Sequence, residues 1–167
     1  GEPAHIEDVA LKVIADGDSI VMNLEGGSID MMARLTTTQA AQLGDQFDIL
    51  EGTMNLVQAM YLNNAVEPFN NEKVRQALSY AINKQEILDF TADGKGTPIA
   101  SSMFPAFGKY YMEELNDVYT TDAEKAKELL TEAGYPDGFT FTIKVPCNYQ
   151  PHIDTATVLA EQLKTIG

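Results

Sequence analysis

Apolar positions in the middle of the chain recur with the period of a helix. Between residues 71 and 83 they fall at i, i+3, i+4, i+7 and i+8, which is the stripe of an amphipathic helix that covers a core. Asn71 precedes the stripe as a candidate N-cap, and Asn83 with Glu86 three residues later predicts a second, short helix. The stripe consists of Val74, Ala77, Leu78, Ala81 and Ile82.

Capping residues and glycines predict short helices nearer the two ends of the chain. A helical segment ends at Gly26, and residues 36–43 form another that a threonine caps. Residues 147–152, "CNYQPH", are predicted to be a loop, after which Asp154 opens a last helix. Its predicted inward positions are Ala156, Leu159, Ala160, Leu163 and Ile166.

The stretch "TTDAEKAKELLTEAG" predicts one more helix. Thr121 and Glu124 have the spacing of a capping box, and Gly134 ends the pattern. Its predicted buried stripe is Ala126, Leu129, Leu130 and Ala133.

Other stretches have the composition or the two-residue period of strands. In "FTFTIKV", aromatic and aliphatic residues alternate with threonine and lysine, which predicts a strand with one wetter face. The "VALKVIA" run has too few polar breaks for a surface strand and predicts a buried one. The predicted strands are residues 9–15, 28–35, 47–52, 53–64 and 139–145. The predicted core comprises Val74, Leu78, Ala81, Ile82, Leu130, Phe141 and Ile143.

Strands mixed with helices throughout predict an α/β fold, with a mixed sheet covered by helices. No repeat or linker interrupts the pattern, so residues 1–167 are predicted to be a single domain. No apolar run approaches the roughly 18 residues of a membrane span. The N-terminal stretch "GEPAHIEDV" has no basic region followed by an apolar one, so any export signal is expected outside this chain.

Charge changes the interpretation of the stretch at 71–88, whose Arg75, Gln76, Lys84 and Gln85 resemble the side chains of a recognition helix. The chain carries 11 basic and 25 acidic residues, a net charge of −14, and a phosphate-binding surface needs the opposite sign. We therefore expect no nucleic-acid partner.

Candidate chemistry is sparse. Cys147 and His152 lie five residues apart and form the only pattern that a nucleophilic enzyme could use. A cysteine that follows a buried strand more often packs against other side chains than takes part in catalysis. We therefore predict no catalytic residue. Zinc spacings, calcium loops and phosphate-binding glycine motifs are absent from the sequence, so we predict no metal and no cofactor. The residues favour a binding module over an enzyme.

Several ordered stretches resemble one family, the extracellular solute-binding proteins, family 5, of ABC importers. The segment "PFNNEKVRQALSYAINKQEIL" at 68–88 resembles the family's most recognisable stretch, and "TTDAEKAKELLTEAGYPDGF" at 120–139 resembles a second. "LEGGSIDM" at 24–31 is a looser match. "MYLNN" at 60–64 and "LAEQLKTIG" at 159–167 stand in the expected order and spacing, so the resemblance covers nearly the whole chain.

The resemblance implies a two-lobed clamp that closes on its ligand through a hinge. Members of this family are much longer than 167 residues, so the chain is expected to be most of the second lobe. The first lobe and the continuation after the last helix would lie outside it. In many peptide binders an acidic residue in that continuation anchors the amino group of the ligand.

The resemblance also points to ligand-binding residues. In peptide-binding relatives the loop after the "FTFTIKV" strand approaches the ligand, and here that loop supplies Asn148, Tyr149, Gln150 and His152. Relatives often carry a basic residue near this loop, and here only His152 is available to take that part. These four residues are the predicted ligand site. The alternative is that they are ordinary loop residues at the edge of a lobe.

The function implied is capture of a peptide or similar small solute outside the cytoplasm for an ABC transporter permease. The parent protein would be a lipid-anchored lipoprotein or free in the periplasm. Two alternatives stay open at this point: a hydrolase-type enzyme that uses Cys147 and His152, and a signalling receptor built on the same clamp.

Overall fold

The computed structural model describes residues 3–52, 55–101, 103–147 and 149–167. Over these ranges no residue lies in a β-strand, so the mixed sheet stays a prediction. The α-helices are α1 (Ser19–Glu25), α2 (Thr37–Leu43), α3 (Glu72–Ala81), α4 (Lys84–Ala92), α5 (Ala123–Glu132) and α6 (Gln150–Leu163). Short 3₁₀ segments cover Gly44–Gln46, Pro105–Tyr110, Glu113–Asp117 and Lys164–Ile166.

Contacts divide the chain into two compact units, Gly1–Glu51 and Gly52–Gly167. The single-domain assignment of residues 1–167 therefore stays a prediction. The first unit holds α1 and α2. Its core is small: Ile20, Leu24 and Leu43 are buried, and the half-buried Ile14, Val21, Ile29, Met32, Leu35 and Phe47 surround them.

Helix α2 begins where the sequence predicts. The Thr36 hydroxyl accepts a hydrogen bond from the Gln39 backbone N–H at 3.1 Å, and the Gln39 side chain accepts one from the Thr36 N–H at 3.0 Å. This reciprocal capping box satisfies two backbone donors that the first helical turn leaves free.

The second unit is built around α3 and α5. The predicted stripe of α3 is confirmed: Val74, Ala77, Leu78 and Ala81 are buried, and the half-buried Ile82 packs against them. The Asn71 side chain caps this helix by accepting from the Lys73 N–H at 2.9 Å. The buried face of α5 opposes the stripe of α3, and it consists of Ala126, Leu129 and Leu130.

The predicted capping box of α5 is wrong by one residue. The N-cap is Asp122, whose carboxylate accepts from the Lys125 N–H at 2.9 Å. The Asp122 N–H also donates to the carbonyl oxygen of Tyr80 at 2.8 Å, which ties the start of α5 to the end of α3. Thr121 instead donates its hydroxyl hydrogen to the Ile82 carbonyl at 3.3 Å. A carboxylate at this position is favoured over the threonine because it accepts a charge-assisted bond.

Helices α4 and α6 are joined through one glutamine of α6. The Asn83 side chain caps α4 by accepting from the Glu86 N–H at 3.0 Å, as the sequence predicts. Gln162 accepts from the Asn83 N–H and donates to the Asn83 carbonyl, both at 3.1 Å. Its amide also donates to the Glu86 carboxylate at 2.6 Å. The predicted inward set of α6 holds at Leu159, Leu163 and Ile166, which are buried, but Ala160 is exposed.

Residues 139–145 keep the predicted alternation without strand pairing. Phe139, Phe141 and Ile143 are half-buried against the main core, whereas the threonines and Lys144 between them are exposed. The Phe141 and Phe139 rings meet the edge of Phe69 with centroids 5.2 and 6.0 Å away. This segment leads directly into the predicted ligand loop.

The predicted burial of residues 9–15 is wrong for this chain. Val9, Leu11 and Val13 are 71 %, 92 % and 97 % exposed. A strand with apolar residues on both faces becomes buried only between other elements. Within the described part of the first unit, α1 and α2 cover Ile14 alone of this segment's larger apolar side chains.

Candidate functional site

The predicted ligand loop is largely the first turn of a helix. Helix α6 begins at Gln150, with Tyr149 as N-cap and Pro151 in the first turn, rather than at Asp154 as the sequence pattern predicted. Proline suits this position because its fixed φ matches the helix and its missing N–H has no helical partner there. Asn148 lies outside the described residues.

Two of the predicted site residues form one contact. The rings of Tyr149 and His152 meet edge to face, with centroids 4.6 Å apart and planes at 68°. The His152 backbone N–H donates to the Tyr149 carbonyl at 3.1 Å, which fixes the spacing between the two residues. Both side chains are half-buried, so they are held in place and still reachable from solvent.

A third residue, Gln58, joins them from a distant part of the chain. Its Nε2 lies 2.9 Å from Nδ1 of His152 and 3.4 Å from the carbonyl oxygen of Pro151. A carbonyl oxygen only accepts hydrogen bonds, so the amide nitrogen, and not the amide oxygen, faces this corner. We call Gln58, Tyr149 and His152 the Gln58–His152 corner.

The contact with Gln58 is compatible with one tautomer of the neutral His152 ring. A ring that accepts at Nδ1 from the Gln58 amide carries its proton on Nε2. That tautomer presents an N–H donor on the side of the ring away from Gln58. An acceptor atom of a ligand fits this arrangement.

Gln58 was not among the predicted site residues. The two-residue period places Gln58 on the same face as Leu56, Met60 and Leu62. Gln58 and Leu56 are both exposed, so this periodicity gave no signal of a specific contact.

Gln150, the remaining predicted residue, does not join the corner. It is exposed, and its amide donates to the Asp154 carboxylate at 2.8 Å along the same helix. This i to i+4 pair stabilises the first turn of α6. Its contact is a local one within the helix.

The pair proposed for an enzyme is not assembled. Cys147 is exposed, and over the described residues it makes no hydrogen bond with His152, whose Nδ1 is occupied by Gln58. The described residues also contain no group of three or more His, Cys, Asp or Glu side chains that could hold a metal ion.

The family model for bacterial extracellular solute-binding proteins, family 5 (middle region), matches residues 1–167. The chain belongs to this family. This confirms the resemblance drawn from the ordered stretches.

Relatives of this family 5 chain are named as binding proteins. It is 32 % identical over 136 residues to "Heme-binding protein A" of Haemophilus influenzae, covering 80 % of this chain and 24 % of that protein. It is 30 % identical over 166 residues to "Glutathione-binding protein GsiB" of Salmonella typhimurium, covering 97 % of this chain and 31 % of the relative. The chain thus spans less than a third of the length of either.

A solved structure supports the fold of this family 5 chain. The PBP AgaA from A. tumefaciens R10, solved in complex with agropinic acid, superposes with a TM-score of 0.75 at 25 % identity. The match covers 92 % of this chain and 32 % of AgaA. The architecture is therefore that of part of a periplasmic binding protein, as expected for a lobe of a clamp. None of the helices formed by the described residues has the length and apolar content needed to cross a membrane.

Proposed function

We propose that this chain is part of the substrate-binding component of an ABC importer, and that the Gln58–His152 corner is part of its ligand-binding wall. The names of the relatives support capture of small solutes, since they refer to heme, glutathione and agropinic acid. These solutes differ in chemistry, so their names do not single out one ligand. We therefore keep the proposed class broad: a peptide or similar small solute.

The observation that carries the site is the contact between Gln58 and His152. It joins residues 94 positions apart, and Nε2 of His152 makes no hydrogen bond with any of the described residues. A binding wall needs polar groups held in a fixed direction, because ordering a loose side chain on binding costs affinity. Here the amide on one side and the Tyr149 ring on the other hold the imidazole.

The neighbouring groups suit a solute with an acceptor atom and an apolar part. Tyr149 adds an aromatic face with a polar tip. The N-terminus of α6 contributes the positive end of its dipole, which favours an acceptor or anionic group. Asn148, which precedes Tyr149 in the chain, stays a proposed member of the site.

The wider role follows from the family. We propose that the parent protein works outside the cytoplasm, lipid-anchored or free in the periplasm, and delivers its solute to ABC transporter permease subunits. Its relatives are named for binding, so we propose no enzymatic activity.

The test is a binding measurement on the full parent protein. Trialanine, glutathione and heme are titrated by calorimetry, and the variants His152→Ala and Tyr149→Ala are then compared on the solute that binds. Loss of a hydrogen bond or an aromatic contact at a binding site costs about 1 kcal/mol or more, so we expect affinity to fall roughly fivefold or more in each variant.

The matched control is Thr157→Ala. Thr157 lies on the same helix and is exposed, and its hydroxyl donates to the Ile153 carbonyl at 3.0 Å. We expect this variant to bind like the unmodified protein. If His152→Ala and Tyr149→Ala also bind normally, the corner is an ordinary edge of the lobe.

A further inference from the structure

A concave site lies at the start of α4. It is a cavity of about 260 Å³ between that helix turn, the segment around Pro98 and the residues that precede α5. Pro98 and Ile99 give it an apolar side, and Asn83, Lys84 and Thr120 give it a polar one.

The charge of this cavity is unusual for the chain. The protein carries 25 Asp and Glu residues against 11 Lys and Arg, yet among the described residues the lining includes Lys84 and no Asp or Glu. Among the described residues, Lys84 makes no ion pair and its side chain makes no hydrogen bond. An excess of acidic residues makes an unpaired lysine at a cavity wall a feature that needs a physical explanation.

The environment of Lys84 already costs free energy. Its side chain is half-buried, and this burial lowers the pKa of its ammonium because nothing nearby replaces the lost hydration. A bound anion would replace that hydration with a direct charge contact. The side chain of Thr120, whose hydroxyl also has no hydrogen-bond partner within the described residues, supplies a second donor on the same wall.

We propose that this cavity binds a small organic carboxylate, with the carboxylate on Lys84 and Thr120 and the apolar part against Pro98 and Ile99. The combination of one cation, one hydroxyl and an apolar wall fits such a molecule better than it fits inorganic phosphate, which has no apolar part and profits from several cations.

The site is separate from the Gln58–His152 corner. Asn83, beside Lys84, is bonded to Gln162, and His152 lies ten residues earlier on the same helix. Ten residues of α-helix span about 15 Å. The cavity is therefore a second site, and the proposal does not depend on the function proposed for the corner.

The test uses the full parent protein and benzoate as probe, with benzamide as a neutral molecule of the same shape. Backbone amide signals of residues 83–85 and 120–121 are followed by NMR during each titration. We expect benzoate to shift them in a saturable way and benzamide to leave them unchanged. In Lys84→Met we expect affinity for benzoate to fall about tenfold or more, because a charge-assisted hydrogen bond is lost.

Lys144→Met is the matched control, since Lys144 is exposed and lies outside the cavity; it is expected to bind benzoate normally. Thr120→Val, which leaves the ammonium in place, is expected to weaken binding less than Lys84→Met does. Equal responses to benzoate and benzamide, an affinity unchanged in Lys84→Met, or tighter binding of inorganic phosphate would each overturn the proposal.

Discussion

Helix α3 and residues 9–15 are both rich in apolar side chains, and they end in opposite environments. Leu78 of α3 is 3 % exposed, whereas Leu11 is 92 % exposed. The helix carries its apolar residues on one stripe, and the face of α5 that covers it lies in the same unit. The 9–15 segment has apolar residues on both faces and little in its own unit to cover them.

The difference reflects how helices and strands satisfy their backbone hydrogen bonds and cover their apolar side chains. A helix pairs its own backbone groups, so a cap and one covering neighbour complete it. A strand needs partners for its backbone on its edges and for its side chains on its faces. The stripe of α3 is covered within its own unit, whereas residues 9–15 form no strand and most of their apolar side chains are exposed.

The largest expected effect is the difference in stability between the variants Leu78→Ala and Leu11→Ala. Leu78→Ala removes a fully packed side chain, so the free energy of unfolding should fall by about 2–5 kcal/mol. Leu11→Ala removes an exposed one, so the change should stay within about 0.5 kcal/mol. Urea unfolding of both variants measures the difference. Equal losses of stability in the two variants would show that Leu78 and Leu11 do not differ in burial as described.

A smaller effect is expected at the cap of α5, where the hydrogen bonds of Asp122 and Thr121 are compared. Asp122→Ala removes the acceptor for the Lys125 N–H and should cost about 1 kcal/mol in the free energy of unfolding. Thr121→Ala removes only a long bond of 3.3 Å and should cost less. Thermal unfolding of the two variants gives the order. A larger loss of stability in Thr121→Ala than in Asp122→Ala would support Thr121 as the N-cap, as predicted from the sequence.

The smallest effect concerns the ion pair that joins α3 and α5 at the surface. Lys73 donates to the Glu132 carboxylate at 2.8 Å, and this hydrogen bond lowers the pKa of Glu132. A carboxyl whose pKa is lower in the folded state stabilises the fold above its ordinary pKa, and the contribution disappears as pH falls through the lowered value.

Lys73→Met should therefore reduce the melting temperature slightly at neutral pH and leave it unchanged in strong acid, where Glu132 is protonated in both proteins. Lys127→Met is the control, since its pair with Glu124, at 3.5 Å, lies within α5 and does not join two helices. A difference between Lys73→Met and the unmodified chain that persists in acid would mean that lost packing of the lysine stem, and not the charge, is responsible.

The helical part of the fold was accessible from the sequence because its signals are local. The stripe of α3 and the caps at Asn71, Asn83 and Thr36 each depend on residues within eight positions of one another. The exposure of residues 9–15 was not accessible, because an apolar run does not itself say whether other elements cover it. The start of α6 was missed because Pro151 resembled a loop residue, although proline is also favoured in a first turn.

The candidate site was accessible only in part. The loop position predicted Tyr149 and His152, and the structure brings their rings together. Gln58 lies 94 positions from His152, and no local pattern links two residues across that distance. The amide of Gln150 donates to the Asp154 carboxylate one turn further along the helix, and its part in a ligand site stays a prediction.

Gln58 is proposed to hold His152 with its Nε2–H toward a bound solute. The ¹⁵N NMR spectrum of the His152 ring in the parent protein tests this, recorded with and without its solute at a pH where the ring is neutral. We expect the ring proton on Nε2 in both states, with the Nε2 signal shifting on binding and the Nδ1 signal nearly constant. A ring protonated at Nδ1, or two nitrogen signals that do not change at saturating solute, would show that the proposed arrangement is wrong.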